Sequence, residues 1–140
     1  MPGSLDDMLK LARTMMARAH APYSKFHVGA VVKSEDGSIH GGCNVENAAY
    51  PQGWCAEASA IAAMVGSGQR RILECVVMGP GVEIVTPCGG CRQKLREFGS
   101  DDMLIHLCHS DGLHRSVTLG ALLPLSFGPH NLGQTDPNMP

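Results

Sequence analysis

The chain has 140 residues, 44% of them hydrophobic and 17% charged, with a net charge of -2 at pH 7. That length suits one domain with a core that holds without staples. The charge gives no ground for expecting nucleic acid or an anionic membrane as partner.

The start, "MPGSLDDMLK", has no basic region followed by an apolar run, so no secretory signal is expected. No apolar stretch approaches the roughly 18–20 residues of a membrane span, and a cytoplasmic location is expected. Six cysteines in a reducing compartment point to metal binding, catalysis or packing rather than a disulfide framework.

"SLDDMLKLARTMMARAH" predicts an amphipathic helix. Ser4 is a good N-cap, Asp6 and Asp7 suit the positive end, and Leu5, Met8, Leu9, Ala12, Met16 and Ala19 recur at helical spacing. "FHVGAVVK" and "IHGGCNV" read as two strands of a hairpin around the turn signal Asp36-Gly37. "ENAAYPQG" is a loop, and a helix is expected from near Trp54 to about Val65.

"ILECVVMG" reads as a third strand, followed by a helix from about Cys88 to Phe98 that Gly99 ends. "MLIHLC" and "HRSVTL" read as two more strands, and "LGALLP" as a short helix. The expectation is an α/β domain over residues 1–128, a three-layer α/β/α arrangement on a mixed sheet of about five strands. A tail over residues 129–140, rich in Pro, Gly and Asn, is expected to be extended or disordered.

Cys88 and Cys91 stand at i and i+3, so a helix's first turn aims both thiols the same way. Cys55 also stands at a helix start, where free N–H groups and the dipole favour thiolates. If the two helix starts converge, three sulfurs meet, and three protein ligands with one open position suit a catalytic zinc. None of the seven histidines has a convincing spacing for a fourth ligand. Cys43, Cys75 and Cys108 sit in strand patterns and read as small buried hydrophobes.

Glu57 follows Cys55 by two residues. Alone it reads as a first-turn acid complementing the helix dipole. Beside zinc-bound water it reads as a proton shuttle. Three thiolates outweigh the charge of Zn2+, so donors or a cation are needed nearby, and Arg92 is the obvious candidate.

"CAE" followed downstream by "PCGGC" resembles the cytidine deaminase signature, a three-cysteine zinc site with a non-ligand glutamate that the zinc deaminases share. "APYSKFHVGA", "GCNVENAAYPQGWCAE", "TPCGGCRQKLREFG" and "LLPLSFGP" extend the resemblance to the small single-domain members, over roughly Leu5 to Leu132. The resemblance implies that Cys55, Cys88 and Cys91 bind one Zn2+ per chain. It implies that Glu57 moves protons as hydroxide attacks C4 of cytidine or 2'-deoxycytidine and ammonia leaves, in pyrimidine salvage.

Asn44 and Glu46 match a pair that grips the ribose hydroxyls. Without the family they read as a polar turn. Phe26 matches an aromatic lining the nucleoside pocket; otherwise it reads as core. Backbone groups near Ala56 and Cys88 are implied to contact the base. Phe127 matches an aromatic that reaches a neighbouring subunit's base, which implies a homotetramer with shared sites; alone it reads as a hydrophobic plug. Many three-cysteine members carry Arg where this chain has Ala58, which leaves Arg92 as the expected source of charge compensation.

Three other readings remain open at this level. A deaminase of the same fold acting on another aminopyrimidine, such as a nucleoside antibiotic, shares the motif. A thiol oxidoreductase using "CGGC" needs neither Cys55 nor Glu57. A zinc-stabilised binding module leaves the open position beside a carboxylate unexplained. The short, slightly acidic chain argues against polynucleotide editing.

Overall fold

The structure, a computed structural model, describes residues 3–135. The helices are α1 Leu5–Arg18, α2 Ala56–Gly66, α3 Gly89–Phe98 and α4 Leu119–Leu122. The strands are β1 Gly29–Ser34, β2 Ile39–Cys43, β3 Ile72–Gly79, β4 Leu104–His109 and β5 Gly112–Thr118. The sheet order is β2-β1-β3-β4-β5. Strand β1 runs antiparallel to both β2 and β3, β3 pairs β4 in parallel, and β4 pairs β5 antiparallel. The sheet is therefore mixed and five-stranded, as the sequence implies.

Alternation along the strands divides the core between two faces. Ala30, Val32, Cys75, Val77, Ile105 and Leu107 pack with Ala60 and Met64 of α2 and Leu95 of α3. Val31, Val76 and Met78 pack instead with Met8 and Ala12 of α1. Three layers result, and each fully buried Leu or Met contributes on the order of 1.5–3 kcal/mol. Helix α1 starts where the cap chemistry demands: the Asp7 N–H donates to Ser4 Oγ at 3.1 Å, and the Asp7 carboxylate accepts from the Ser4 N–H at 3.4 Å.

Strands β2 and β3 both oppose β1, so they run the same way, and α2 and α3 each begin beyond the carboxyl end of one of them. That edge of an α/β sheet is where ligands bind. Helix α2 is seated closely on β2. A Cβ on Gly42 would lie 2.3 Å from the Ala60 nitrogen and 2.5 Å from the Ala56 oxygen, so only glycine permits this approach. Ser59 Oγ donates to the Cys43 carbonyl at 3.0 Å and fixes the same contact.

Three sequence expectations need correction. Helix α2 begins at Ala56, not Trp54, because Trp54 is tied in a two-way backbone bridge to Val45, with both hydrogen bonds at 2.9 Å. Strand β1 begins at Gly29, not Phe26, because Asn44 takes up the preceding backbone: its Oδ1 accepts from the Val28 N–H at 2.9 Å and its Nδ2 donates to the Phe26 carbonyl at 2.7 Å. Residues Pro129–Leu132, expected as extended tail, form one 3-10 turn. Pro129 opens the turn, Asn131 Oδ1 accepts from the Gly128 N–H at 2.9 Å, and Gly133 closes it at φ 68°. The end of the expected tail, residues 136–140, lies outside the described residues.

On the α1 face a polar chain crosses four strands, β1, β3, β4 and β5. Lys33 Nζ is 2.6 Å from Glu74 Oε1, His106 Nε2 is 2.8 Å from Glu74 Oε2, and His106 Nδ1 is 2.7 Å from Ser116 Oγ. Burial alone would raise the Glu74 carboxyl, but the Lys33 and His106 contacts outweigh it and leave it below its ordinary value. A carboxyl depressed in the fold stabilises above its unfolded pKa and loses that contribution as pH falls through the folded one. Glu74→Gln should therefore lower unfolding free energy by about 1 kcal/mol at pH 7, with the deficit shrinking below pH ~4, as read from denaturant melts across pH.

Candidate active site

The N-caps of α2 and α3 are Cys55 and Cys88, both extended. An N-cap leaves the helix's first N–H groups pointing toward its side chain. Cys91 lies one turn into α3 and is fully buried, while Cys55 and Cys88 are exposed. The three sulfurs lie within 4.8 Å of one another. A tetrahedral zinc with Zn–S near 2.3 Å would space its sulfurs about 3.8 Å apart, so the cluster needs little movement to accept one.

Glu57, on the first turn of α2, is 4% exposed. It borders a cavity of about 400 Å³ that Cys55 and Cys88 also border.

The electrostatics of this corner favour neutral thiols and a neutral Glu57 carboxyl in the absence of a cation. Burial pushes the Glu57 carboxyl up, against smaller opposing pulls from a backbone hydrogen bond and then from Lys94. Burial and then the Glu57 charge push the Cys91 thiol far up, and burial also raises Cys55. Cys88 is held below its ordinary value, chiefly by the backbone N–H of Cys91. A divalent cation reverses the sign for the raised thiols, because a coordinating thiol is deprotonated outright. Three sulfurs, no nearby fourth protein donor among the described residues, and an adjacent buried carboxyl fit a zinc with an open position.

The same cavity is also lined by Phe26, Val28, Asn44 and Glu46. Asn44 and Glu46 do more there than a polar turn requires. Glu46 Oε1 accepts from the backbone N–H groups of Tyr23 at 3.0 Å and Ser24 at 3.1 Å, and its Oε2 accepts from the Ser24 hydroxyl. These bonds, with the two from Asn44, hold the 23–28 loop that carries Phe26. Phe26 is 44% exposed, so it is not core. Ala56 is buried at the first position of α2, beneath the same cavity.

Trp54, Val45 and Tyr50 also border the cavity, and sequence reasoning assigned them nothing. Adjacency of Trp54 to Cys55 was the only available signal.

Two expected residues stand outside this cavity. Arg92 sends Nε to the Pro87 carbonyl at 2.7 Å, Nη1 to the Leu122 carbonyl at 2.8 Å and Nη2 to Thr86 Oγ1 at 3.2 Å. Those bonds go to oxygens, not to sulfur, so Arg92 braces the peptide before Cys88 instead of facing the thiolates. The backbone N–H of Cys91, in the first turn of α3, is the positive group that does face one of them, Cys88. Phe127, 57% exposed, borders a separate cavity with Gln93 and Glu97. Cys75 and Cys108 are buried as expected, but Cys43 is only half-buried.

Residues 3–107, a span holding all three sulfurs and Glu57, match the family described as "Cytidine and deoxycytidylate deaminase zinc-binding region". The chain belongs to this deaminase family. It is 36% identical over 128 residues to the cytidine deaminase of Sporosarcina psychrophila, covering 91% of this chain and 94% of that one. It is 40% identical over 112 residues to the cytidine deaminase of Mycobacterium tuberculosis (strain CDC 1551 / Oshkosh), 80% of each. The crystal structure of cytidine deaminase from Burkholderia pseudomallei superposes with a TM-score of 0.83 at 35% identity, covering 89% of this chain and 99% of that one.

Zinc is the metal of this family's binding region, and the Cys55, Cys88 and Cys91 cluster fits it. Ala58, in the first turn of α2, is 8% exposed and brings no charge to the sulfurs. Among the described residues, no helix is long and apolar enough to cross a membrane.

Proposed function

We propose that the chain is a zinc-dependent hydrolase that converts cytidine and 2'-deoxycytidine to uridine and 2'-deoxyuridine with release of ammonia, in pyrimidine salvage. The observation that carries the proposal is a buried carboxyl, Glu57, against a three-sulfur cluster at the floor of a nucleoside-sized cavity. Family membership at this level of identity supports the same reading. Zinc bound by Cys55, Cys88 and Cys91 supplies a Lewis acid that brings water's pKa from about 15.7 toward 7.

The chain's own groups do the rest. Glu57 takes a proton from the attacking water and gives it to N3 of the pyrimidine, then takes the proton of the new C4 hydroxyl and gives it to the departing amine, which leaves as ammonia. A carboxyl whose pKa burial has raised suits both directions of transfer. The free N–H groups at the start of α2, near Ala56, donate to the base. Asn44 and Glu46 meet the ribose diol with the donors and acceptors left over from holding the 23–28 loop. Phe26 covers the sugar side.

Phe127 has no place in its own chain's cavity, which supports a role in a neighbour's, and hence a homotetramer with shared sites. All six cysteines are free, which supports the reducing cytoplasm as location.

An ultraviolet assay of cytidine, 2'-deoxycytidine and free cytosine tests the proposal directly. Both nucleosides should be converted, cytosine should be turned over at least ~10²-fold less efficiently because the diol contacts are lost, and a chelator should abolish activity that zinc restores. Conversion that survives complete zinc removal, or a clear preference for cytosine, would contradict it.

A further inference from the structure

Helix α3 carries Cys88 and Cys91 at its start, and its next residues reach in a different direction. Arg92 Nη1 donates to the Leu122 carbonyl at 2.8 Å, Gln93 Nε2 to the Phe127 carbonyl at 3.0 Å, and Arg96 Nε to Ser126 Oγ at 2.9 Å. Residues 92 and 96 are neighbours on one helix face, so three side chains of one rigid element hold one strap, residues 122–128. The strap packs onto Arg96 as well as bonding to it. Gly128 is buried, and a Cβ there would lie 2.2 Å from Arg96 Nη2.

Within the strap Leu125 adopts φ 53° and is fully exposed, a conformation a bulky side chain holds only when its surroundings impose it. Both peptide flanks of Phe127 are thus fixed while its ring stays 57% exposed. An apolar ring displayed on a pinned backbone is prepared in advance for a partner, which removes the ordering cost from binding.

We infer that Arg96, helped by Gln93 and by the missing side chain at Gly128 that lets the guanidinium pack on its backbone, is a positioning residue that sets the Phe127 ring at a fixed offset from the cysteine cluster through α3. This rests on the reading that Phe127 stacks on a base in a neighbouring subunit. Arg96 itself touches no substrate. It acts by holding Ser126 and the Gly128 backbone, so that the ring arrives without searching rotamers of the whole segment. The coupling has a further consequence: one helix fixes both the metal ligands of one site and the closing ring of another.

The test is a double-mutant cycle in cytidine kinetics on the zinc-loaded enzyme, with Arg96→Met, Phe127→Ala and both together, each checked for zinc content and assembled mass. Loss of a base–aromatic stack should raise KM roughly tenfold in Phe127→Ala. Arg96→Met should raise KM by a similar factor, with kcat within about twofold and one zinc per chain, and the double variant should be no worse than Phe127→Ala. Gly128→Ala, which displaces the guanidinium but deletes neither partner, should copy Arg96→Met. It decides the matter if Arg96→Met fails to fold.

Parent-like kinetics in Phe127→Ala would overturn the stacking reading itself. An impaired Phe127→Ala beside a parent-like Arg96→Met and Gly128→Ala, or effects that multiply in the double variant, would overturn the positioning role alone.

Discussion

Glu57→Gln should fold, bind one zinc per chain and lose turnover by roughly 10²–10⁴-fold, with KM for cytidine little changed. The substitution keeps volume and shape, so the packing at this 4% exposed position is preserved. Burying a neutral amide there is no harder than burying a carboxyl whose pKa burial already raises. What disappears is the ability to accept and return a proton, the role proposed for this group. The loss corresponds to about 3–5 kcal/mol of transition-state stabilisation. Steady-state kinetics with metal analysis on the same preparation reads both halves, and a variant as active as the parent would remove Glu57 from the reaction.

Cys91→Ser should abolish both zinc binding and activity, a fall of at least about 10³-fold, since activation of water goes with the metal. Cys91 is fully buried beneath Cys55 and Cys88, so solvent cannot easily substitute for its sulfur. Cys108→Ser is the informative control. That thiol is also buried, but it packs against α1 on the opposite face of the sheet. It should keep zinc and turnover while losing on the order of 1–3 kcal/mol of stability for a buried hydroxyl. Equal loss of zinc in both variants would mean that folding, not ligation, controls the metal.

The large elements were legible because their signals agree at several levels. Met8, Ala12 and the Ser4 cap marked α1, and the β-branched, apolar run in "FHVGAVVK" marked the buried strand β1. The cysteine spacing put three thiols at two helix starts; that these converge was implied by the family resemblance and is seen in the fold.

Boundaries were lost where side chains do the work of backbone. Asn44 supplies the hydrogen bonds that would otherwise extend β1 to Phe26, and no pattern in the local sequence announces that. Arg92 misled for a geometric reason. It follows Cys91 in sequence, but one residue along a helix is a rotation of roughly 100°, and the guanidinium ends on carbonyl oxygens of Pro87 and Leu122. The second duty of Asn44 and Glu46, holding the loop that carries Phe26, depends on partners some 20 residues away and was out of reach of motif reading. The 3-10 turn after Gly128 was hidden by a composition that usually signals an unstructured end.

Every functional statement depends on two helix N-termini delivering three sulfurs to one zinc and leaving a position beside Glu57. X-ray absorption at the zinc edge of the purified protein measures that coordination directly. The expected spectrum has three sulfurs at about 2.3 Å and one oxygen or nitrogen at about 2.0 Å. Four sulfurs, or a first coordination shell without sulfur, would contradict it.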